Sequence, residues 1–243
     1  VLKGGVLLAA LQARRPTRDI DLAGRALDNS VPEVLSTVRK VAELSLDDGL
    51  EFESDGATAE SIREEDDYSG VRVTLGGRLS RAVIRLHVDV NVGDPIWPEP
   101  RQVSLPRLLE GTLVVRGYPL EMVLAEKIVT AIARGTANTR WRDFVDIYAL
   151  VRRHGTAAET LQTSLIRVAQ YRGTALASLH SVLAGYAEFA QQRWLAWLRK
   201  NRLESTIPTD FSSVLDQVRK FADPVIVGEV IGKDWDPVKG IWN

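Results

Sequence analysis

The spacing of apolar residues changes between the two halves of the chain. Segments 50–52, 70–75 and 82–92 are rich in Val, Ile and Leu with period-two spacing, which predicts strands. Beyond Leu120, apolar residues recur at helical spacing in segments 122–134, 142–154, 157–171, 174–201 and 211–221. Strands followed by helices are typical of an α+β fold. We therefore expect a mixed sheet with flanking helices in residues 1–118 and a helical bundle in residues 119–243.

The N-terminal segment predicts short elements around a glycine turn. Gly4 and Gly5 separate a strand at 1–3 from an apolar helix at 6–11, and a second strand follows at 19–22. Pro32 marks the start of a further helix. Because the chain begins directly in an apolar segment, we expect further residues upstream of Val1.

Three further segments of the chain are marked by prolines, by acids and by tryptophans. The prolines at 95, 98, 100 and 106 predict a loop region, and the acidic run 64–67 predicts a solvated loop between two strands. Segment 228–243 is rich in turn residues, and we expect Trp235 and Trp242 to anchor it.

Composition narrows the class of protein. The chain has 243 residues, 31 Lys and Arg, 32 Asp and Glu, and no Cys, which excludes a disulfide-stapled module and a mainly disordered tail. A net charge of -1 argues against a protein that binds nucleic acid through an overall positive electrostatic potential, although a local basic patch could still bind it. No apolar run approaches 18 residues, so we expect a cytoplasmic protein without a membrane partner.

Two acids alternate along the predicted strand at 19–22. Residues i and i+2 of a strand share a face, so Asp19 and Asp21 lie side by side, with Ile20 and Leu22 on the buried face. Adjacent like charges repel unless a cation neutralises them, and Mg²⁺ is typically bound through one or two carboxylates plus substrate phosphates. The alternative is an ordinary edge strand whose acids face water.

A third acid interrupts the apolar strand at 82–92. Asp89 lies between Val88 and Val90, where a carboxylate is costly to bury unless it is paired or bound to a metal. Two carboxylates on one strand and a third on another can hold two metal ions about 4 Å apart, as in phosphoryl-type transfer. The three acids together therefore favour metal-dependent chemistry over the edge-strand alternative.

The arrangement resembles a known superfamily. A Gly4-Gly5 turn, thirteen intervening residues, Asp19-x-Asp21 and the distant Asp89 resemble the DNA polymerase β-like nucleotidyltransferases. Segments 15–22 and 126–150 look like those of the AbiEii toxins of bacterial abortive-infection and type IV toxin–antitoxin systems. The chain departs from the pattern at Gly5, where serine is commoner. This departure is the only sequence hint of a binding or regulatory module that retains the fold without turnover.

The resemblance implies the roles of these residues. Asp19, Asp21 and Asp89 would hold Mg²⁺ or Mn²⁺, with a nucleoside triphosphate (NTP) as substrate. Gly4 and Gly5, which lack side chains, would let backbone N–H groups contact its phosphates. The acceptor would be the 3′ end of tRNA, and the added nucleotide would block aminoacylation and growth. A cognate antitoxin would be encoded nearby, and it could contact this chain or act otherwise.

A second group of charged residues follows on the helical side. Lys127 would project from its helix as a compact cation able to meet triphosphate oxygens, and Arg134 lies two helical turns later on the same face. Asp143 and Asp146, at i and i+3, share a helical face, so either could be the functional acid and the other a salt-bridge partner. The resemblance makes Lys127 a phosphate ligand and Asp143 the acid of the last motif, both contributed to the site by the helical domain. The alternative for Lys127 is a solvated lysine paired with a neighbouring glutamate.

Basic residues near the acids suggest an RNA contact. Arg14, Arg15 and Arg18 could supply local positive charge for an RNA backbone. His87, His154 and His180 lack metal-ligand spacing and are better explained as strand or surface residues. Transfer to a protein or a small hydroxylated molecule remains an alternative to transfer to RNA.

Overall fold

The computed structural model describes residues 1–64, 68–107 and 110–243. It confirms an α+β fold, with the strands of a mixed sheet first and most helices later. The chain divides into two compact units: Val1–Asp94 with Pro100–Tyr118, and Pro95–Glu99 with Pro119–Asn243. Of the loop predicted at 64–67, residues 65–67 lie outside the described residues.

The first unit is built on one sheet. Within the described ranges its strands are β1 (Leu2–Lys3), β2 (Asp19–Gly24), β3 (Leu50–Glu64), β4 (Tyr68–Leu79), β5 (Ala82–Val92), β6 (Arg101–Pro106) and β7 (Thr112–Gly117). They lie in the order β3-β4-β5-β2-β1-β7-β6. The β2–β5 and β1–β7 pairs are parallel and the other pairs are antiparallel. Helices α1 (Gly4–Ala10) and α2 (Val31–Ala42) complete this unit.

The second unit is helical. Its described helices are α3 (Leu120–Arg134), α4 (Trp141–Val151), α5 (Ala158–Tyr171), α6 (Leu179–Val182), α7 (Tyr186–Asn201) and α8 (Phe211–Ile226). A small hairpin of β8 (Trp235–Asp236) and β9 (Ile241–Trp242) follows. None of the helices in the described residues combines the length and apolar character needed to cross a bilayer.

Two predictions of secondary structure are wrong. The proline-rich segment, predicted as a loop, includes β6, which ends at Pro106 on the outer edge of the sheet, where a missing N–H donor costs no ladder bond. The single helix predicted at 174–201 is broken into α6 and α7. Gly185 lies between them with a φ of 71°, in the left-handed region that an α-helix cannot contain.

The core of the first unit lies under α2. Val34 packs against alternate residues of β4 and β5, among them Val71, Val73 and Val90. Because side chains alternate along a strand, the residues between these valines project from the opposite face of the sheet. Ile20, predicted on the buried face, is 36% exposed, since α2 covers β3 and β4 and not the start of β2.

Aromatic side chains fill the core of the second unit. Trp141 and Phe144 of α4 pack with Tyr186, Trp194 and Phe211. The predicted anchors Trp235 and Trp242 form a second cluster with Phe221 of α8. Rings at these distances are worth about 0.5–1.5 kcal/mol per pair beyond the area they bury. This packing fixes α4, whose acids are described below.

Candidate active site

Four neighbouring strands align charged residues in a single row. Asp21 of β2 is in register with Lys3 of β1 on one side and with Asp89 of β5 on the other. Asp89 is in turn in register with Arg72 of β4. Register partners project from the same face of a sheet, so the row reads cation, acid, acid, cation. Asp19, two residues before Asp21, lies on this face as well.

The glycine turn shapes the space around Asp21. Gly4 has a φ of 64°, and a Cβ placed there would lie 1.9 Å from Asp21 Oδ2. Only glycine therefore leaves room for this carboxylate at the start of α1. The Gly5 N–H donates a hydrogen bond of 3.4 Å to the same Asp21 oxygen. The predicted contact of Gly4 and Gly5 with phosphate stays a prediction.

The departure from the family pattern at Gly5 has a steric explanation. A Cβ at residue 5 would lie 2.6 Å from Thr17 Oγ1 and 2.8 Å from Thr17 Cβ. The Thr17 hydroxyl therefore occupies the space that the Cβ of a serine at residue 5 would need. It also donates a hydrogen bond of 2.9 Å to Asp19 Oδ1. The turn thus retains a hydroxyl group beside the acids, although residue 5 does not supply it.

The surroundings of Asp21 disfavour its charged form. Burial raises the pKa of the Asp21 carboxyl above its ordinary value, and the neighbouring charges of Asp19 and Asp89 raise it further. Lys3 acts in the opposite direction, but it also forms a 2.7 Å ion pair with Asp94. A divalent cation would relieve this repulsion. In charge and in donor chemistry, Asp19 and Asp21 fit such an ion.

The sequence pattern revealed neither cation of this row: Lys3 was missed, and so was Arg72. Its Nε and Nη2 donate hydrogen bonds of 2.8 and 2.6 Å to the two oxygens of Asp89, and Nη2 lies 3.9 Å from Asp19 Oδ2. These hydrogen bonds raise the pKa of the Arg72 guanidinium. Its only local signal is its place between Val71 and Val73 in an alternating strand. The partner could not be identified, because the register of β4 against β5 is not visible in the sequence.

The arginine changes what Asp89 can do. Both Asp89 oxygens accept from Arg72, and within the described residues no three His, Cys, Asp or Glu side chains are placed to hold a metal ion together. Asp19 and Asp21 suffice for one ion with substrate phosphates. The predicted role of Asp89 as a metal ligand requires a rearrangement of Arg72.

The other candidates around the acids lie on β5 and in the loop before β2. His87 is in register with Asp19, and its Nδ1 shares a hydrogen bond of 3.0 Å with Thr74 Oγ1, as expected of a strand residue. Arg14 and Arg18 are exposed and Arg15 is half-buried. Arg18 directly precedes Asp19, and Arg14 and Arg15 lie earlier in the same segment, which leads into β2.

The second unit contains its own charged cluster. Lys127 of α3 donates hydrogen bonds of 2.7 Å to Asp143 Oδ1 and 2.8 Å to Asp146 Oδ2, both on α4. Arg140 donates to the second Asp143 oxygen at 2.8 Å. Both acids are buried and the lysine side chain is only 15% exposed. The alternative of a solvated lysine is therefore wrong.

The pairing controls the protonation of this cluster. Burial alone would lower the pKa of the Lys127 ammonium, but the charges of Asp143 and Asp146 outweigh it and raise that pKa. Burial would likewise raise the pKa of Asp143, but Lys127 and Arg140 lower it to about 2. Lys127 and Asp143 are therefore both charged at neutral pH. Arg134 lies half-buried at the last turn of α3. The nucleotide contacts of Lys127 and Arg134 stay predictions.

Two solved structures from Helicobacter pylori are similar to the chain. One is a candidate nucleotidyltransferase with 14% identity and a TM-score of 0.47, covering 94% of this chain and 86% of that chain. The other, JHP933, has 14% identity and a TM-score of 0.48, covering 94% of this chain and 84% of that chain. These similarities by themselves identify neither a substrate nor a site. A comparison with curated proteins gives no match.

A family model covers almost the whole chain. The family described as nucleotidyl transferase AbiEii toxin, of type IV toxin–antitoxin systems, matches residues 1–235. The match includes every site residue discussed above, and it confirms the resemblance inferred from segments 15–22 and 126–150. The chain therefore belongs to the AbiEii family of nucleotidyltransferase toxins.

Proposed function

We propose that the chain transfers a nucleoside monophosphate from an NTP to the 3′ end of tRNA. The observation that carries the proposal is the row in which Asp21 and Asp89 lie side by side with Asp19 beside them. Two of these carboxylates, Asp19 and Asp21, could share the cation that accompanies a triphosphate, with Asp89 next to them. Blocked aminoacylation would then stop translation and growth, as expected of a toxin.

The reaction needs few groups from the protein. The acceptor hydroxyl oxygen bonds to the α-phosphorus, the bond from that phosphorus to the bridging oxygen breaks, and pyrophosphate leaves. A bound Mg²⁺ or Mn²⁺ would supply positive charge for the triphosphate and for the leaving pyrophosphate. Asp19 and Asp21 would hold that ion, and Asp89 would help to accept the hydroxyl proton. Thr17 keeps Asp19 oriented through its hydroxyl group.

An RNA acceptor is supported by the charge at the start of β2. Arg14, Arg15 and Arg18 form a short basic segment next to Asp19. A local basic segment can bind a phosphate backbone although the whole chain has a net charge of -1. Because tRNA and NTPs are both cytoplasmic, we propose that the reaction takes place there. The family also implies an antitoxin as a partner.

The test is a labelling reaction with purified protein. Total tRNA is incubated separately with each of the four NTPs, labelled at the α-phosphate, in Mg²⁺ and then in Mn²⁺. We expect RNase-sensitive label with the wild type and none with Asp21→Ala, while Asp216→Ala, which removes an exposed acid of α8, retains activity. The same reaction with a cell lysate in place of tRNA tests the alternative substrate: label that resists RNase but not protease would indicate a protein acceptor. No incorporation under either metal would contradict the proposal.

A further inference from the structure

The guanidinium of Arg72 binds Asp89 and also lies near Asp19, one of the two carboxylates that the proposed function assigns to a metal ion. Its two hydrogen bonds to Asp89, at 2.8 and 2.6 Å, form the parallel fork that is the strongest geometry between these groups. The same Nη2 lies 3.9 Å from Asp19, so one cation faces both acids. The Asp89 side chain is 9% exposed and the Arg72 side chain 33%, so water is excluded mainly from the carboxylate.

A third acid favours this position of Arg72 from its other side. Glu60 of β3 is in register with Arg72, and its charge contributes to the stability of the charged guanidinium. The arginine therefore lies between Glu60 on the edge strand and Asp89 on β5. The register of three strands determines its place, so this position does not depend on a flexible loop.

We propose that Arg72 is a positioning residue that acts as an internal counter-ion of Asp89, so that a divalent ion binds tightly only together with the nucleotide. This inference rests on the proposed function. The guanidinium Nη2 lies 3.9 Å from Asp19 Oδ2, so a divalent ion held by Asp19 would be close to a second cation, and the two would repel each other. The triphosphate brings the negative charge that offsets this repulsion, and its oxygens can accept hydrogen bonds from the arginine fork.

The arrangement predicts a measurable coupling between metal and nucleotide. Each ligand should increase the affinity for the other, and part of that increase should depend on Arg72. Replacing Arg72 by glutamine removes the competing charge but leaves an amide that can still donate to Asp89. In this variant, divalent ions should bind without nucleotide at least about tenfold more tightly than in the wild type. A factor of ten corresponds to about 1.4 kcal/mol, and the Coulomb repulsion between the ion and a guanidinium at these distances exceeds that value.

The test measures direct binding of Mn²⁺. Electron paramagnetic resonance detects the free ion, so the measurement does not depend on turnover. The full chain is titrated alone and with α,β-methylene analogues of the four NTPs, which cannot be cleaved at the reacting bond. We expect weak binding by the wild type alone and tight binding with an analogue. Arg72→Gln should bind Mn²⁺ tightly alone and gain less from the analogue, and Arg72→Lys should fall between the two.

Arg78→Gln is the matched control, because Arg78 lies on the same strand and its side chain is 60% exposed. It should behave as the wild type. If Arg72→Gln binds Mn²⁺ alone no more tightly than the wild type, the inference is wrong while the proposed function stands. If the wild type binds no Mn²⁺ with or without analogue, the proposed function itself fails.

Circular dichroism shows whether Arg72→Gln folds. If it does not, the titrations of the wild type alone still test the inference. Wild-type protein that binds Mn²⁺ equally tightly with and without the analogues would contradict the inference. A purely structural role for Arg72 would change the thermal stability but not the coupling between the two ligands.

Discussion

Asp21 and Asp89 are register partners on neighbouring parallel strands, although they are far apart in the sequence. Such pairs lie about 5 Å apart, so their charges repel unless a cation lies nearby. The protein supplies one cation on each side, Lys3 and Arg72. The register of these residues predicts how substitutions change stability, and the proposed function predicts how they change activity.

Removing the charge of Asp21 should stabilise the protein. The pKa of this carboxyl is raised in the folded state, so its contribution favours folding below the ordinary value of 3.8 and is lost as the pH rises through the raised pKa. At neutral pH the charged form therefore opposes folding. Asp21→Asn should raise the melting temperature by a few degrees, since about 1 kcal/mol shifts a chain of this length by about 2–4 °C. Calorimetry at pH 7 measures it, with Asp216→Asn as the control, and a lower melting temperature would contradict the account.

Restoring a side chain at residue 5 should destabilise the turn. The new Cβ of Gly5→Ser or Gly5→Ala would collide with Thr17, at a cost of about 1–3 kcal/mol. Adding Thr17→Gly to Gly5→Ala removes the colliding atoms and should recover part of the loss, as a double-mutant cycle in urea would detect. Gly56→Ala is the control, because its Cβ would meet only the Glu53 carbonyl oxygen at 3.6 Å. Equal destabilisation in both backgrounds would exclude a collision with Thr17.

Lys127 should be essential for the stability of the helical unit. Lys127→Met leaves the buried carboxylates of Asp143 and Asp146 without their shared cation, which typically costs about 3–5 kcal/mol. Denaturant unfolding measures the loss, and Lys200→Met, at an exposed lysine of α7, should change stability by less than about 0.5 kcal/mol. The double variant Lys127→Met, Asp146→Asn should be more stable than Lys127→Met alone. The activity of any Lys127 variant can be interpreted only beside this measurement.

The cluster should also make unfolding sensitive to acid. The pKa of Asp143 falls from 3.8 to about 2 on folding, so its stabilisation is complete above about pH 4 and is lost as the pH falls through 2. Asp143→Asn should therefore be destabilised relative to the wild type at pH 6, and the difference should shrink as the pH approaches 2. Unfolding free energies of both proteins across this range provide the test. A difference that does not change with pH would show that the charge of Asp143 is not the cause.

Local patterns predicted part of this architecture. Period-two alternation was sufficient to place Asp19 and Asp21 on one face, because side-chain direction in a strand is a local property. The position of Arg72 opposite Asp89 depends on strand register, which arises from pairing between distant segments. Likewise β6 was missed because Pro100 just before it and Pro106 at its end suggest a loop, although an edge strand tolerates a proline. Asp143 and Asp146 were candidates for the functional acid, but the partner predicted for Lys127 was a neighbouring glutamate. Its simultaneous contact with both acids follows from the packing of α3 on α4.

The central claim is that Asp19, Asp21 and Asp89 support nucleotide transfer to tRNA. Its most direct test compares wild type and Asp21→Asn for incorporation of α-labelled nucleotide into purified tRNA, because Asp21→Asn is the variant predicted to be more stable than the wild type. The account predicts label at the tRNA 3′ end with the wild type and its complete loss in the better-folded variant. Undiminished labelling by Asp21→Asn, or no labelling by the wild type with any of the four NTPs, would contradict it.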